Sequence, residues 1–368
     1  MPFALRGLLL VPWLVVLDPD PPRPGSAPAS ADDAAIARAI DDGIGWFRNK
    51  DFDLLFRVHS PGPEFFLYQP DGADTVRSGA EFRAFAEVFR REGFTYLRHE
   101  VKELRVHRAR IEDVAWFSAL LDDCALVDGR EACWRDARWT GVLEKRRGAW
   151  VIVQGHLSFT ADPARAAVPP DEARVRAAAA RDSVSPSGAH PEIERVIRAG
   201  LSWARTKDTA LLFGTRSQGD DLFVFGPTSR APVVGFEAFR DATKAFWLKD
   251  EFVAKGFDIR ELRIRLSPRK SVAWFSAEVD DWHEIGGRPG GWKDARWTGV
   301  LEKRGGKWLY VQGHVSFAAD RLAPADRRSE NGLKRPARRD RARVLPGSET
   351  RGALRRGGAA RPTGSPAS

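Results

Sequence analysis

Two periodicities divide the first half of the chain. Ile36, Ile40, Ile44 and Phe47 recur at intervals of three or four, as do Phe82, Phe85 and Phe89, and this spacing predicts two amphipathic helices. Between them Asp51 opens a short segment, DFDLLF, and Phe65 to Gln69 reads as a strand. From Thr95 the pattern changes to alternation, in TYLRHEVKELRVHRA, DVAWFSALLDD, DARWTGVLEK and AWVIVQGHLSF. Helices followed by four consecutive strands predict an α+β unit, with helices packed on one face of an antiparallel sheet.

The pattern then repeats. Val114 to Asp162 aligns without a gap onto Val272 to Asp320 at an offset of 158, with 32 of 49 positions identical, including AWFSA, DARWTGVLEKR and VQGH. Upstream the offset is 157, matching Trp46 with Trp203, Lys50-Asp51 with Lys207-Asp208 and Pro70 with Pro227. A unit of that size is a complete domain rather than a solenoid repeat. The predicted organisation is a leader at 1–31, copy one at 32–162, a linker at 163–189 with a short helix around Asp171 to Arg181, copy two at 190–320 and a disordered basic tail at 321–368. Identity concentrates in the last three strands, so the copies share a scaffold while their pockets differ.

Strand parity assigns faces. In the last strand of copy one Val151, Val153, Gly155 and Leu157 form the apolar set; in the strand before it the set is Ala137, Trp139, Gly141 and Leu143. A three-residue loop at Arg146-Arg147-Gly148 places both sets on the core face, with His156 near Arg138 and Gln154 near Thr140 outside. His156 and His314, with Arg138 and Arg296, are thus expected on the outer face or at a domain interface, rather than as general bases. The row Ala115, Phe117, Ala119, Leu121 carries the core face on to Asp123, and in copy two to Asp281. A carboxylate ending a core-facing row is the better candidate for acid or base work. Asp51 and Asp208 read as helix caps.

Composition changes less of the picture than its extremes suggest. The net charge of +9 is carried entirely by residues 321–368, with 13 basic and 4 acidic residues, so the folded part has no expected nucleic-acid surface. Arg6, an apolar run from Gly7 to Leu17 and Ala29-Ser30-Ala31 have the pattern of a secretory signal, which predicts export; the run is too short for a membrane span. The two cysteines, Cys124 and Cys133, flank Asp128-Gly129 symmetrically, and a tight hairpin would place them opposite each other for a disulfide, although parity puts them on different faces unless a bulge intervenes. Copy two has Trp282 and Gly291 there. With no phosphate loop, metal-ligand spacing or strand-nucleophile-helix motif, no cofactor and no metal are expected.

The helical half followed by a curved sheet, closing in RRGAWVIVQGHLSF and RGGKWLYVQGHVSF, resembles the SnoaL-like group of the nuclear transport factor two-like, or ketosteroid isomerase-like, superfamily. Gly306-Lys307-Trp308 with His314 and Ser316 is similar to the association domain of calcium/calmodulin-dependent protein kinase II. The resemblance implies a cone-like pocket between helices and sheet, and pairing of domains through the sheet, here as an internal pseudo-dimer or a homo-oligomer. It implies an Asp or Tyr as the working group, for which Asp123, Asp281 and Tyr68 are nearest; copy two has Phe225 at the Tyr68 position. The implied pocket walls are Trp46, Tyr68, Phe117, Trp139 and Leu157 in copy one, and Trp203, Phe225, Phe275, Trp297 and Val315 in copy two. Basic residues line the cavity of the kinase association domain, whereas Gly141, Leu157, Gly299 and Val315 stand at the corresponding positions here. Three functions fit: binding of a small apolar or weakly polar molecule, cofactor-free isomerase, cyclase or hydratase chemistry on a pocket Asp, or assembly alone.

Overall fold

The computed structural model describes residues 30–111, 113–163 and 188–319. The proposed leader, most of the linker and the basic tail lie outside them. In copy one, helix α1 (Ala31–Gly45) starts at a capping box, in which the Asp33 amide donates to Ser30 Oγ and the Ser30 amide to the Asp33 carboxylate. Asp51 caps α2 (Phe52–Val58) by accepting the Leu54 amide at 2.8 Å. After β1 (Phe66–Tyr68) and α3 (Gly79–Ala86) come four long strands, β2 (Phe94–Arg108), β3 (Val114–Val127), β4 (Arg130–Arg146) and β5 (Ala149–Ser158). The sheet order is β1-β5-β4-β3-β2, with β1 parallel to β5 and the other neighbours antiparallel.

Copy two repeats this with α4 (Pro191–Ser202), α5 (Thr209–Gly214), β6 (Phe223–Phe225), β7 (Val233–Val234), α6 (Phe236–Ala245), β8 (Phe252–Leu266), β9 (Val272–Ile285), β10 (Arg288–Arg304) and β11 (Lys307–Ser316). Its order is β7-β6-β11-β10-β9-β8. Both copies are α+β, helices on one face of a strongly curved sheet. Among the described residues no helix is long and apolar enough to cross a membrane.

The β4–β5 connection differs from the expected loop. It is a two-residue turn, Arg147-Gly148, with both φ values positive (52° and 83°), which suits the twist of a hairpin. Parity is restored by a bulge at Val153, which lies between the pairs Val142↔Gln154 and Leu143↔Ile152. Beyond the bulge Trp139 faces Leu157 on the inner side, while Thr140 faces His156 and Arg138 faces Ser158 on the outer side. His156 therefore sits beside Thr140 rather than Arg138. Gly141 is needed where it stands, because a Cβ there would come 2.4 Å from the Phe117 ring of the next strand.

The outer faces of the two sheets pack on each other. Val114, Trp116, Val142 and Val153 form one buried cluster with Val272, Trp274, Val300 and Val311, their own counterparts in copy two. The bulged valines thus belong to the centre of the contact. Arg138 Nη1 donates to the Gly226 carbonyl (2.5 Å) and Arg296 Nη1 to the Gln69 carbonyl (2.5 Å), a reciprocal pair of anchors. His156 and His314 are completely buried between them.

Tyr68 and Phe225, expected as pocket walls, belong to this contact instead. β1 pairs in parallel with β5 so that Tyr68 stands beside His156 and shares its face; β6 does the same for Phe225 and His314. The Tyr68 hydroxyl donates to the Ala277 carbonyl of the other copy at 3.1 Å, and its ring lies 5.1 Å from that of His156. A tyrosine held there offers no oxyanion donor to a pocket.

At the far end of β3 and β4, Asp128-Gly129 forms the tight turn, and Cys124 and Cys133 are paired directly and joined in a disulfide. A bulge between the pairs Leu121↔Ala137 and Asp123↔Trp134, with Asp136 at φ 51°, brings the two cysteines to one face.

Candidate functional site

The inner face of copy one is apolar at its centre. Trp139 meets Phe117 edge-on at 4.9 Å, and Leu157 is paired with Trp139 across the β4–β5 ladder. Trp46 closes the helical side in a cluster with Phe47, Phe52 and Phe89. Copy two repeats this with Phe275 edge-on to Trp297 at 4.9 Å, Val315 paired with Trp297, and Trp203 buried after α4.

Asp123 continues this inner row. Its Oδ1 is buried and has no hydrogen-bond partner, and burial pushes its carboxyl up to about 6, with the nearby His99 pulling slightly the other way. In the ladder Asp123 stands opposite His99 of β2 and Trp134 of β4. A carboxyl near 6 with a buried oxygen that accepts no hydrogen bond takes up and releases protons close to neutral pH.

His99 is held from both sides. Its Nε2 lies 3.0 Å from Asp41 Oδ1 on α1, and its Nδ1 3.0 Å from the Tyr96 hydroxyl. The Tyr96 oxygen also accepts the His99 amide at 3.1 Å. The imidazole, only 2% exposed, is held in orientation by these two contacts to its ring nitrogens. Tyr96 and His99 are three apart, a spacing that puts strand side chains on opposite faces. The bulge at Leu97, between the pairs Tyr96↔Ala125 and Arg98↔Cys124, brings them to the same one.

Asp41, Tyr96 and His99 were not among the residues singled out by sequence patterning. Comparison of the copies carries the signal: the equivalent positions hold Arg198, Ala254 and Phe257, while Asp281 persists opposite Phe257 in the same register. In copy two Phe257 is buried, Asp281 half-buried, and Arg198 pairs with Glu194 at 2.7 Å. The set Asp41, Tyr96 and His99 is thus replaced in copy two by Arg198, Ala254 and Phe257.

At the other end of each inner face the copies differ again. His59, after α2, donates its Nδ1 proton to the Leu55 carbonyl at 2.9 Å and packs against Phe65 and Phe82; burial pushes it down to about 4, so it is neutral. Its counterpart is Arg216, buried after α5 against Tyr310. Gly299 and Val315 carry no charge, so the cation of copy two's inner face comes from the helical side. Cys124, Glu131 and Cys133 bring metal-ligating atom types together, but the disulfide leaves no thiolate for a metal.

Residues 36–162 and again 193–320 match the sequence model of the SnoaL-like domain. Among solved structures, the association domain of C. elegans calcium/calmodulin-dependent protein kinase II is 20% identical, covering 35% of this chain and 96% of that one, with a TM-score of 0.29. An NTF2-like protein of unknown function from Pseudomonas putida KT2440 is 17% identical, covering 36% of this chain and 89% of that one, with a TM-score of 0.28. A second such protein, of unknown function in nutrient uptake, from Rhodospirillum rubrum ATCC 11170, is 19% identical over 33% of this chain and 96% of its own, with a TM-score of 0.28. No curated protein matches.

Proposed function

The chain belongs to the SnoaL-like domain family, in two tandem copies, and on that premise we propose that copy one binds a small, weakly polar molecule and moves a proton on it without a cofactor. The observation that carries this reading is the buried, unpartnered Oδ1 of Asp123 on a carboxyl poised at about 6. As carboxylate it removes a proton from a carbon next to a carbonyl; as carboxylic acid it returns that proton to another atom of the same molecule, so atoms and charge balance within one turnover. Trp139 and Phe117 supply an apolar wall. His99, opposite Asp123 and fixed by Asp41 and Tyr96, positions a polar group over the same end. Isomerase and dehydratase chemistry both need this one proton relay.

The test is deuterium incorporation, by proton NMR in heavy water, into a panel of cyclic and open-chain ketones with acidic α-hydrogens. Wild type should exchange at least one of them, and Asp123→Asn should not while still folding. Equal exchange by both proteins removes Asp123 from the chemistry. We also read the protein as exported; the Cys124–Cys133 disulfide supports an oxidising compartment. N-terminal sequencing of the mature protein from an export-competent host tests this, and an intact Met1 would overturn it.

A further inference from the structure

Copy two holds a polar arrangement that this chemistry does not use. Arg216 is 4% exposed, and its Nη1 donates to Thr215 Oγ1 at 3.3 Å. Its Nε is buried with no partner, and among the described residues Nη2 makes no hydrogen bond and no carboxylate pairs with the guanidinium. The guanidinium carbon lies 4.4 Å from the centre of the Tyr310 ring and 5.7 Å from that of Phe239. The Tyr310 hydroxyl accepts from Trp297 Nε1 at 2.9 Å and, among the described residues, donates to nothing.

The equivalent positions of copy one are His59, Ile152 and Phe82. Copy two has therefore exchanged a neutral imidazole, satisfied by a backbone carbonyl, for a cation, and an aliphatic side chain for a phenol. Burial lowers Arg216 only to about 10, so it is charged at neutral pH. A buried charge without a counter-charge is strongly unfavourable, and the two ring faces offset only part of that. The edge left without partners, Nε with Nη2, is the side of a guanidinium that grips a carboxylate through two parallel hydrogen bonds.

We propose that the inner face of copy two binds a small organic monocarboxylate, with the carboxylate on the Nε and Nη2 edge of Arg216, the Tyr310 hydroxyl as a further donor and the apolar body against Phe239 and Trp297. Among the described residues no second cation acts electrostatically on Arg216; a single cation suits a monoanion better than a phosphate dianion, and the aromatic walls suit an apolar body. Of the two rings on the guanidinium, Tyr310 is buried and Phe239 half-buried, so the approach is on the Phe239 side. This inference is independent of the proton chemistry assigned to copy one.

The experiment is calorimetric titration of the full chain with benzoate and hexanoate, against benzamide and hexanamide as neutral isosteres. Both carboxylates should bind saturably at one site per chain and the amides should not. Arg216→Met should weaken carboxylate binding at least about tenfold and Tyr310→Phe about fivefold, while Asp123→Asn, which alters only the pocket of copy one, still binds. Absence of saturable carboxylate binding overturns the proposal, as does equal binding by Arg216→Met. If Arg216→Met and Arg216→Gln both fail to fold while Arg216→Lys melts like wild type and binds no carboxylate, the cation is a structural clamp on Tyr310 and the proposal also falls.

Discussion

His156 and His314 lie face to face between the two sheets, ring centroids 3.7 Å apart and planes 15° from parallel. All four ring nitrogens meet hydroxyls of β4, β5, β10 or β11: His156 meets Thr298 and Ser316, and His314 meets Thr140 and Ser158, at 2.8 to 3.0 Å. Burial, together with the neighbouring cations, holds both well below the usual imidazole range, so both are neutral. Two imidazolium ions could not share this space.

The pH dependence follows. A histidine depressed in the native state adds stability above its unfolded value of about 6.5, and this is lost as pH falls, because the unfolded chain takes up protons that the native one refuses. His59 and His283, pushed down to about 4 by burial, and His107 act in the same direction. Asp123 opposes them only between about 6 and its ordinary 3.8. Thermal unfolding should therefore show a melting temperature that declines progressively below pH 6.5. A flat profile between pH 7 and 5 would contradict the buried neutral pair.

For Asp123→Asn the two properties should separate. At pH 7 the wild-type carboxylate is ionised in a desolvated place, and the amide removes that cost, so the variant should be more stable by about 1–2 kcal/mol. Proton exchange should fall at least about a hundredfold. In wild type the exchange rate should rise through pH 6 as the base ionises. A variant that loses both stability and activity would mark a structural carboxylate.

Removing the Cys124–Cys133 bridge should cost about 2–3 kcal/mol, the loop-closure value for the short segment it encloses. Urea unfolding of the Cys124→Ser, Cys133→Ser double variant measures it. Because Asp123 precedes Cys124 and faces Trp134, the double variant should also shift the pH midpoint of exchange. An unchanged midpoint would show that the bridge does not hold the carboxylate.

The caps of α2 and α5 are equivalent. Asp51 accepts the Leu54 amide at 2.8 Å and Asp208 the Leu211 amide at 2.9 Å. Asp51→Ala and Asp208→Ala should each lower stability by about 1 kcal/mol, and the double variant by the sum, as expected for caps in separate copies. Chemical denaturation of the three variants checks this, and an effect below a few tenths would show that the caps are fully replaced by water.

What could be read from the chain was what depends on period and repetition. The alternation in the last strands gave Trp139 and Leu157 one face and His156 the other, and the duplication located two domains. What escaped depends on single inserted residues. The bulge at Leu97 puts Tyr96 and His99 side by side, the bulge at Val153 replaces the expected longer loop, and the bulge before Asp123 aligns the cysteines. Tyr68 escaped for another reason: a three-residue strand has no alternation long enough to declare a face, and its side is decided by parallel pairing with a strand 88 residues away in register, Tyr68 with His156. Asp41 reaches the site from a helix whose polar face looks like any solvated one.

In a dimer of identical subunits, every substitution at the twofold contact occurs on both sides and must be tolerated twice. Here the paired sheets belong to one chain, so a change can be made once. Tyr68 has a hydroxyl bonded across the contact to Ala277, while Phe225 on the other side has none. The same freedom extends inward, where His59 faces Arg216 only as a memory of alignment and each answers to its own pocket. The two copies share one seam built from equivalent residues, while their interiors differ at positions such as His59 and Arg216.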